Sequence, residues 1–342
     1  MSNLQLLPTW FVASYMFFIG LCIGSFLNVV ILRGLSGEDI VFARSKCPKC
    51  NNHIKWYMNI PVFSYIFLRG KCAFCKEKIS IQYPLVELIC ALLFLATYFA
   101  FGLGIKMIFI WIFLSLFIAM SVTDLKQTVI IDYHAYILLA AGLIYSYLNL
   151  GDINIIQSLI GAAFGFLIFE IMARIGKMLV GCRMFGEGDS LIALGLGAIF
   201  GWKVVCLIIA LSIFIQCVVT IPILARGAFV QNKIKLAISY ILVFVSILLI
   251  CLNNHFKFLQ DGLVYYACVA VVVALLIWSL KQVLNEINQK KNDDTKNEEE
   301  KFNLLPFGPA LLISATICVF YLGWIKKYIL DFIGQVWFGL KI

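Results

Sequence analysis

Two aspartates beside apolar segments are the residues of this sequence best suited to acid–base chemistry. Asp189 ends a Gly-Glu-Gly-Asp motif at 186–189, and Asp124 follows an apolar run at 111–122. An acid at a membrane segment is costly and is functional by default. Two carboxyl groups held close together share one proton, so one accepts a proton from water while the other donates to a carbonyl oxygen. We therefore predict that Asp124 and Asp189 form one catalytic pair, and that Gly186 and Gly188 let an extended substrate approach the backbone.

The spacing of these residues also allows plainer interpretations. The Gly-x-Gly-Asp motif could be a turn before a helix with Asp189 as its N-cap, and Asp124 could be an interfacial residue that ends a span. Of the other acids at apolar spans, Glu170 has Arg174 four residues further on, which predicts a structural ion pair on one helix face.

Four cysteines form the second pattern with a chemical meaning. They make two Cys-x-x-Cys pairs, separated by the 21 residues 51–71: Cys47, Cys50, Cys72 and Cys75. This is close to the spacing of a four-thiolate zinc site, in which all four coordination positions come from the protein. A zinc ion held in this way is structural and folds a loop that has few apolar residues of its own. The alternatives are two redox pairs or unpaired thiols.

The composition shows what must position these groups. With 63% hydrophobic and 13% charged residues and a mean hydropathy of +0.98, the chain is typical of membrane proteins that cross the bilayer many times. We predict an all-α polytopic membrane protein with about 8–10 transmembrane helices and a small cytoplasmic zinc-binding loop domain. The predicted spans are 10–32, 84–101, 106–123, 134–148, 154–180, 190–201, 204–225, 234–252, 263–280 and 311–324.

Positive charge predicts the topology. The stretch 32–83 holds nine Lys and Arg against three acids, so it should be cytoplasmic, with the N-terminus outside. Both aspartates then fall at the cytoplasmic edge of the cell membrane. The net charge of +9 is explained by topology, and we expect no nucleic-acid partner. The predicted domains are the first helix (1–32), the cysteine loop (33–83), the core (84–225), an extra helical hairpin with a polar linker (226–301), and a final helix with a tail (302–342).

Several motifs in a fixed order carry a family resemblance. They are Gly-Ser-Phe-Leu-Asn-Val-Val at 24–30, the two Cys-x-x-Cys pairs, Tyr-Pro-Leu-Val-Glu at 83–87, the segment from Asp124 to Asp132, the 186–189 motif, and Pro-Phe-Gly-Pro at 306–309. With these, the chain resembles the type IV prepilin peptidases, membrane aspartic proteases of the GxGD kind. The resemblance implies that Asp124 and Asp189 are the catalytic pair. It also implies that the partners are prepilins or pseudopilins, whose leaders are cut at the cytoplasmic face after a glycine.

The resemblance further implies a second activity. The long form of the family, marked by its cysteine loop, methylates the new N-terminus with S-adenosylmethionine. The chain departs from the family's usual residues at Gln82, Ile131, Arg183 and Leu191. We therefore expect cleavage and leave methylation open. The alternative from another class is a transporter whose carboxylates relay protons.

Overall fold

The computed structural model describes residues 8–39, 44–180, 185–230 and 306–325. Within these ranges the regular elements are helices, and extended pairing is limited to two isolated bridges. The predicted all-helical class is confirmed. The helices are α1 (Thr9–Ser36), α2 (Phe63–Phe67), α3 (Gln82–Phe101), α4 (Ile105–Gln127), α5 (Asp132–Tyr147), α6 (Ile155–Val180), α7 (Glu187–Val230) and α8 (Gly308–Ile325), with a 3-10 turn at Trp56–Asn59.

Five of these helices are long and apolar enough to cross a membrane: α1, α3, α4, α6 and α7. The apolar part of α8, Gly308–Tyr321, is shorter. The protein is therefore integral to a membrane. The predicted spans at 234–252 and 263–280 lie outside the described residues, so the total of about 8–10 spans stays a prediction.

The helix α7 is broken at Gly201. This glycine has φ 73° and ψ 167°, a backbone region that residues with a side chain rarely adopt. Two helical parts therefore meet there, at the residue where the sequence predicts the end of the short span 190–201. The break matters below because a cavity lies beside it.

Small residues let the helices pack closely. A methyl group added to Gly20 of α1 would lie 2.5 Å from the Cα atom of Ala91 in α3. Gly161 of α6 and Gly197 of α7 are each so close to the other's backbone that neither has room for a side chain. Close backbone approach at small residues is a main source of helix association in membranes. Contacts of this kind fix α1 against α3 and α6 against α7.

A single apolar cluster holds the centre of the helix bundle. Its fully buried side chains come from five helices, among them Phe113 of α4, Leu138 of α5, Phe169 of α6, Leu196 of α7 and Leu311 of α8. The chain divides into two compact units, Met1–Ser212 with Pro306–Ile342 and Ile213–Leu305. The sites described below all lie in the first unit. The domain boundaries predicted from the sequence stay predictions.

Candidate active site

Asp124 lies in the last turn of α4. Its residue is only 5% exposed, although the helix ends three residues later at Gln127. The helix stops at Thr128, which has the left-handed φ of 52° and whose amide donates to the carbonyl oxygen of Asp124 at 2.8 Å. The carboxyl group is thus fixed on a helix end and shielded from solvent.

Asp189 lies in the first turn of α7 and is 8% exposed. Because α7 begins at Glu187, Asp189 is its third residue, and the alternative interpretation as the N-cap is wrong. Its Oδ2 instead accepts a hydrogen bond from the amide of Gly186, the residue before the helix, at 3.1 Å. A third-position side chain that reaches back in this way is half of a capping box. One oxygen of the carboxyl group is therefore oriented by the backbone.

The first residue of α8 connects the two aspartates in space. A methyl group added to Gly308 would lie 2.5 Å from Oδ2 of Asp124 and 3.4 Å from Cδ1 of Ile192. Ile192 is one helical turn beyond Asp189 on α7, so the first residue of α8 lies beside the helix ends that carry both aspartates. The structure therefore brings the ends of α4, α7 and α8 together around Asp124 and Asp189.

One oxygen of this pair lacks a side-chain partner in the described part of the chain. The Oδ2 atom of Asp124 is buried and accepts no hydrogen bond of ordinary geometry there, although the amide of Gly308 interacts with this carboxyl group. A buried polar atom without a partner is rare and needs an explanation, such as a water molecule or a shared proton. This oxygen is suited to hold the proton or the water that acid–base chemistry at the pair requires.

The two glycines of the motif have different surroundings. A methyl group on Gly188 would lie 2.6 Å from Cβ of Ile130, in the loop after α4. A methyl group on Gly186 would meet no described residue closer than Asp189, whose Oδ2 would be 3.5 Å away. Gly188 is therefore needed for close packing against Ile130. Among the described residues, Gly186 has the more open surroundings of the two, and the predicted contact of both glycines with a substrate stays a prediction.

The four cysteines lie on two turns with the same hydrogen-bond pattern. In the first turn, the amide of Cys47 donates to the carbonyl of Asn52, and a bridge joins Lys46 to His53. The second turn repeats these contacts 25 residues later, from Cys72 to Glu77 and from Lys71 to Lys78. Each turn presents its two thiols on one side, so two copies together supply four ligands.

The four sulfur atoms are placed for a metal ion. They all lie within 4.8 Å of one another, and the sulfurs of Cys47 and Cys75 are 3.9 Å apart. A tetrahedral zinc ion with sulfur at about 2.3 Å requires sulfur–sulfur separations of about 3.8 Å. The amides of Cys75 and Phe74 lower the pKa of the Cys72 thiol to about 7. The amide of Glu77 lowers the pKa of the Cys75 thiol, but burial and hydrogen bonds to the other three cysteines outweigh it and raise that pKa to about 11. The thiolate that binds metal is therefore favoured first at Cys72. The cluster therefore fits a metal ion in both its spacing and its chemistry.

The sequence did not indicate how the cysteine loop meets the helices. Val62, in the loop, has φ 61° and ψ −50°, and the amide of Phe63 donates to the carbonyl of Pro61 at 2.6 Å. This is a γ-turn of the rare positive-φ type. The Val62 amide donates to Oε2 of Glu87 at 2.7 Å, and Glu87 is a buried residue of α3. A side chain of the helix bundle thus holds a strained turn of the loop.

Two buried acids at the ends of apolar helices and a four-thiol cluster in the loop before α3 define a helical membrane protein with a candidate acid–base site. Comparison with known proteins gives its family. Residues 18–101 match the bacterial peptidase A24 N-terminal domain, and residues 111–221 match the type IV leader peptidase family. The chain belongs to the type IV leader peptidase family, and the resemblance stated from the motifs is confirmed.

Curated relatives agree with this assignment. Each is named prepilin leader peptidase/N-methyltransferase. The chain is 37% identical over 191 residues to the one from Myxococcus xanthus (strain DK1622), covering 56% of this chain and 57% of that protein. It is 31% identical over 214 residues to the one from Klebsiella pneumoniae (59% and 93%) and 35% identical over 221 residues to the one from Pseudomonas aeruginosa (57% and 74%). No solved structure matches the chain.

Proposed function

We propose that the chain is a membrane aspartic endopeptidase that cleaves the leader peptide of type IV prepilins or pseudopilins. The observation that carries this proposal is the meeting of Asp124 and Asp189 at the ends of α4 and α7, where both are buried. Family membership and the names of the relatives support the same reaction. They give no support to a transporter with a proton relay.

The arrangement supports a general acid–base mechanism. One carboxylate takes a proton from a water molecule as the water oxygen attacks the scissile carbonyl carbon. The other carboxyl group donates its proton to the carbonyl oxygen, so the charge on the tetrahedral intermediate is neutralised. Collapse of the intermediate returns that proton and breaks the carbon–nitrogen bond, and the amine leaves with the proton taken from water. The buried Oδ2 of Asp124, which lacks a side-chain partner in the described part of the chain, is a place to hold the shared proton or the water.

Replacement of either aspartate tests the proposal. Asp124→Asn and Asp189→Asn keep the size of the side chain but cannot cycle a proton, so each should abolish cleavage of a prepilin in detergent while the protein stays folded. Glu170→Gln is the matched control, because Glu170 lies on α6 in an ion pair with Arg174 at 3.2 Å. Full cleavage by both aspartate variants would end the protease hypothesis.

The excess of Lys and Arg in the cysteine loop supports a cytoplasmic location for that loop, with the N-terminus outside. Cleavage would then occur at the cytoplasmic face of the cell membrane, where Asp124 and Asp189 end their helices. An epitope tag at the N-terminus should be accessible to antibody on intact spheroplasts, whereas a tag in the loop should require lysis. The opposite pattern would invert the topology.

The cysteine cluster supports a structural zinc ion held by Cys47, Cys50, Cys72 and Cys75. When all four positions are filled by protein, the ion has no open position for catalysis. Elemental analysis of protein with reduced thiols should give about one zinc per chain. Cys50→Ser should lower that value. A wild-type protein without zinc would remove this part of the proposal.

A cavity of about 340 Å³ beside the cysteine loop supports binding of S-adenosylmethionine and methylation of the new N-terminus. The side-chain nitrogen of Gln82 lines it without a partner among the described residues. The carboxyl groups of Glu77 and Glu87 line it together with four lysines, which suits a ligand that carries both positive and negative charge. When bound, the cofactor supplies the methyl group. Lys126, two residues beyond Asp124, also lines this cavity, so the cavity extends toward the proposed cleavage site.

Two measurements test the methylation proposal separately from cleavage. Equilibrium dialysis with labelled S-adenosylmethionine should detect binding to the uncleaving Asp189→Asn variant. Mass spectrometry of a processed substrate should show one methyl group on the new N-terminus. A processed substrate without the methyl group would make the chain a protease alone.

A further inference from the structure

A second cavity, of about 570 Å³, lies at the opposite end of the helix bundle. It is lined by the end of α3, the start of α4, the end of α5, the start of α6, the break in α7 and the end of α8. Lys106 in its wall precedes Asp124 by 18 residues of α4, a rise of about 27 Å. This is close to the thickness of the hydrocarbon core of a bilayer, about 30 Å. The cavity therefore lies at the membrane surface away from the aspartates, and the proposed reactions do not use it.

The break at Gly201 shapes this cavity. Because the chain changes direction there, Phe200 and Val204 on either side point into the protein, whereas Trp202 is 45% exposed. Most of the cavity wall is apolar, including Ile110 of α4 and Val319 of α8. A tryptophan at this depth is typical of the boundary between lipid and water.

The edge of the cavity carries an excess of positive charge. Lys106 and Lys203 both line it, together with Asp152. The Lys106 amine lies 5.3 Å from the ring centre of Phe101, and the Lys203 amine lies 5.8 Å from that of Trp202. The aliphatic part of each lysine side chain thus lies along an aromatic ring, and the charged amine stays at the boundary between lipid and water.

We propose that this cavity binds an anionic phospholipid of the bilayer, with the phosphate group between Lys106 and Lys203 and one acyl chain along the apolar wall. Its volume falls in the range of about 300–1,000 Å³ that is usual for sites of small ligands. Two cations at the edge and an apolar wall together fit an amphiphile, because a free phosphate ion would contact the lysines and leave the apolar wall exposed to water. The bound chain would contact α4, α7 and α8, the three helices whose other ends form the aspartate site.

Fluorescence quenching by brominated lipid tests the proposal on the full chain. The protein is placed in phosphatidylcholine nanodiscs that contain increasing amounts of brominated phosphatidylglycerol or, separately, brominated phosphatidylcholine. The chain has seven tryptophans, so the contribution of Trp202 is taken as the difference from a Trp202→Phe variant. Brominated phosphatidylglycerol should quench Trp202 at a lower mole fraction than brominated phosphatidylcholine does.

Lysine variants decide whether the charge pair is responsible. A lysine near an anionic lipid surface contributes about fivefold to binding. The double variant Lys106→Gln with Lys203→Gln should therefore need about a thirtyfold higher mole fraction of brominated phosphatidylglycerol for the same quenching of Trp202. Lys177→Gln, in the last turn of α6, is the control and should leave it unchanged. Phosphatidylglycerol should also raise the melting temperature of the wild type more than that of the double variant.

Three results would overturn the proposal. One is equal quenching of Trp202 by the two brominated lipids. Another is selective quenching that survives loss of both lysines. The third is loss of selectivity when inorganic phosphate is added at constant ionic strength, which would assign the lysines to a free anion.

Discussion

The contact between Glu87 and Val62 gives the most specific prediction about how the cysteine loop is attached to the helices. Val62 is held in a positive-φ γ-turn, and its amide donates to the buried carboxyl group of Glu87 at 2.7 Å. Glu87→Ala removes the acceptor and leaves a strained turn with an unpaired amide. Glu87→Gln keeps an oxygen in the same place. Val62→Gly keeps the amide and removes the strain. The three variants should therefore move the stability of the turn by different amounts and in different directions.

The magnitudes follow from the contacts. A buried donor without a partner costs about 1–3 kcal/mol, and the amide of the half-buried Val62 should lie near the lower end of that range. Glu87→Ala should therefore open the turn about fivefold more often or somewhat more. A residue in a sparsely populated backbone region stores about 1–3 kcal/mol, of which a glycine loses about 0.5–1 kcal/mol again through its greater freedom in the unfolded chain. Val62→Gly should therefore stabilise the turn by up to about 2 kcal/mol. Glu87→Gln should lie near the wild type.

Hydrogen exchange measured by mass spectrometry, on peptides that contain residue 62, reads these changes directly. Glu170→Ala, which breaks an ion pair on α6, is the control and should leave exchange in the loop unchanged. Zinc content should stay the same in all variants, because the cysteine turns make their own backbone contacts. The reasoning is refuted if Glu87→Ala leaves exchange at residue 62 unaltered, or if Val62→Gly accelerates it.

Three further predictions concern other contacts. Gly188→Ala should strongly lower stability or cleavage, because its methyl group would lie 2.6 Å from Ile130 Cβ. Gly186→Ala should keep the fold and raise KM if a substrate passes there. Equal shifts of the melting temperature for the two variants would contradict this. Gly161→Ala should lower the melting temperature of the detergent-solubilised protein, since its methyl group would strike the backbone of α7, and an unchanged melting temperature would speak against the tight helix pair. Removal of metal by a chelator should accelerate hydrogen exchange of the Cys72 amide. An exchange rate that the chelator leaves unchanged would show that the metal does not hold the turn.

The sequence predicted most of what depends on local pattern. Long apolar runs predicted α3, α4, α5 and α6 with ends within a few residues, because an apolar span is a property of contiguous residues. The predicted pair of Glu170 and Arg174 is confirmed, since four-residue spacing on a helix fixes that contact. The spacing of the cysteines likewise predicted a cluster that could bind metal.

Contacts between distant segments could not be predicted in this way. Nothing in the spacing indicates that Gly308 lies against Asp124, although the motif around Gly308 contributed to the family resemblance. The packing of Gly188 on Ile130 was not predicted, because it depends on how two loops meet, and the role of Gly188 as a substrate contact stays a prediction. The γ-turn at Val62 was also missed, since a valine with positive φ is stable only when tertiary contacts impose it. Catalytic roles for Asp124 and Asp189 remain a prediction until the variants are assayed.

The position of Gly308 has a consequence for dividing the protein into two separate polypeptides. The two matched family regions end at residue 221, yet the glycine that closes over Asp124 comes from a helix that starts at residue 308. A chain shortened after residue 225 would keep both aspartates and lose the glycine that packs against Asp124. The missing helix, produced as a separate polypeptide in the same cells, should restore the lost activity by complementation. A split enzyme of this kind would turn the last helix into an inducible switch for pilin maturation.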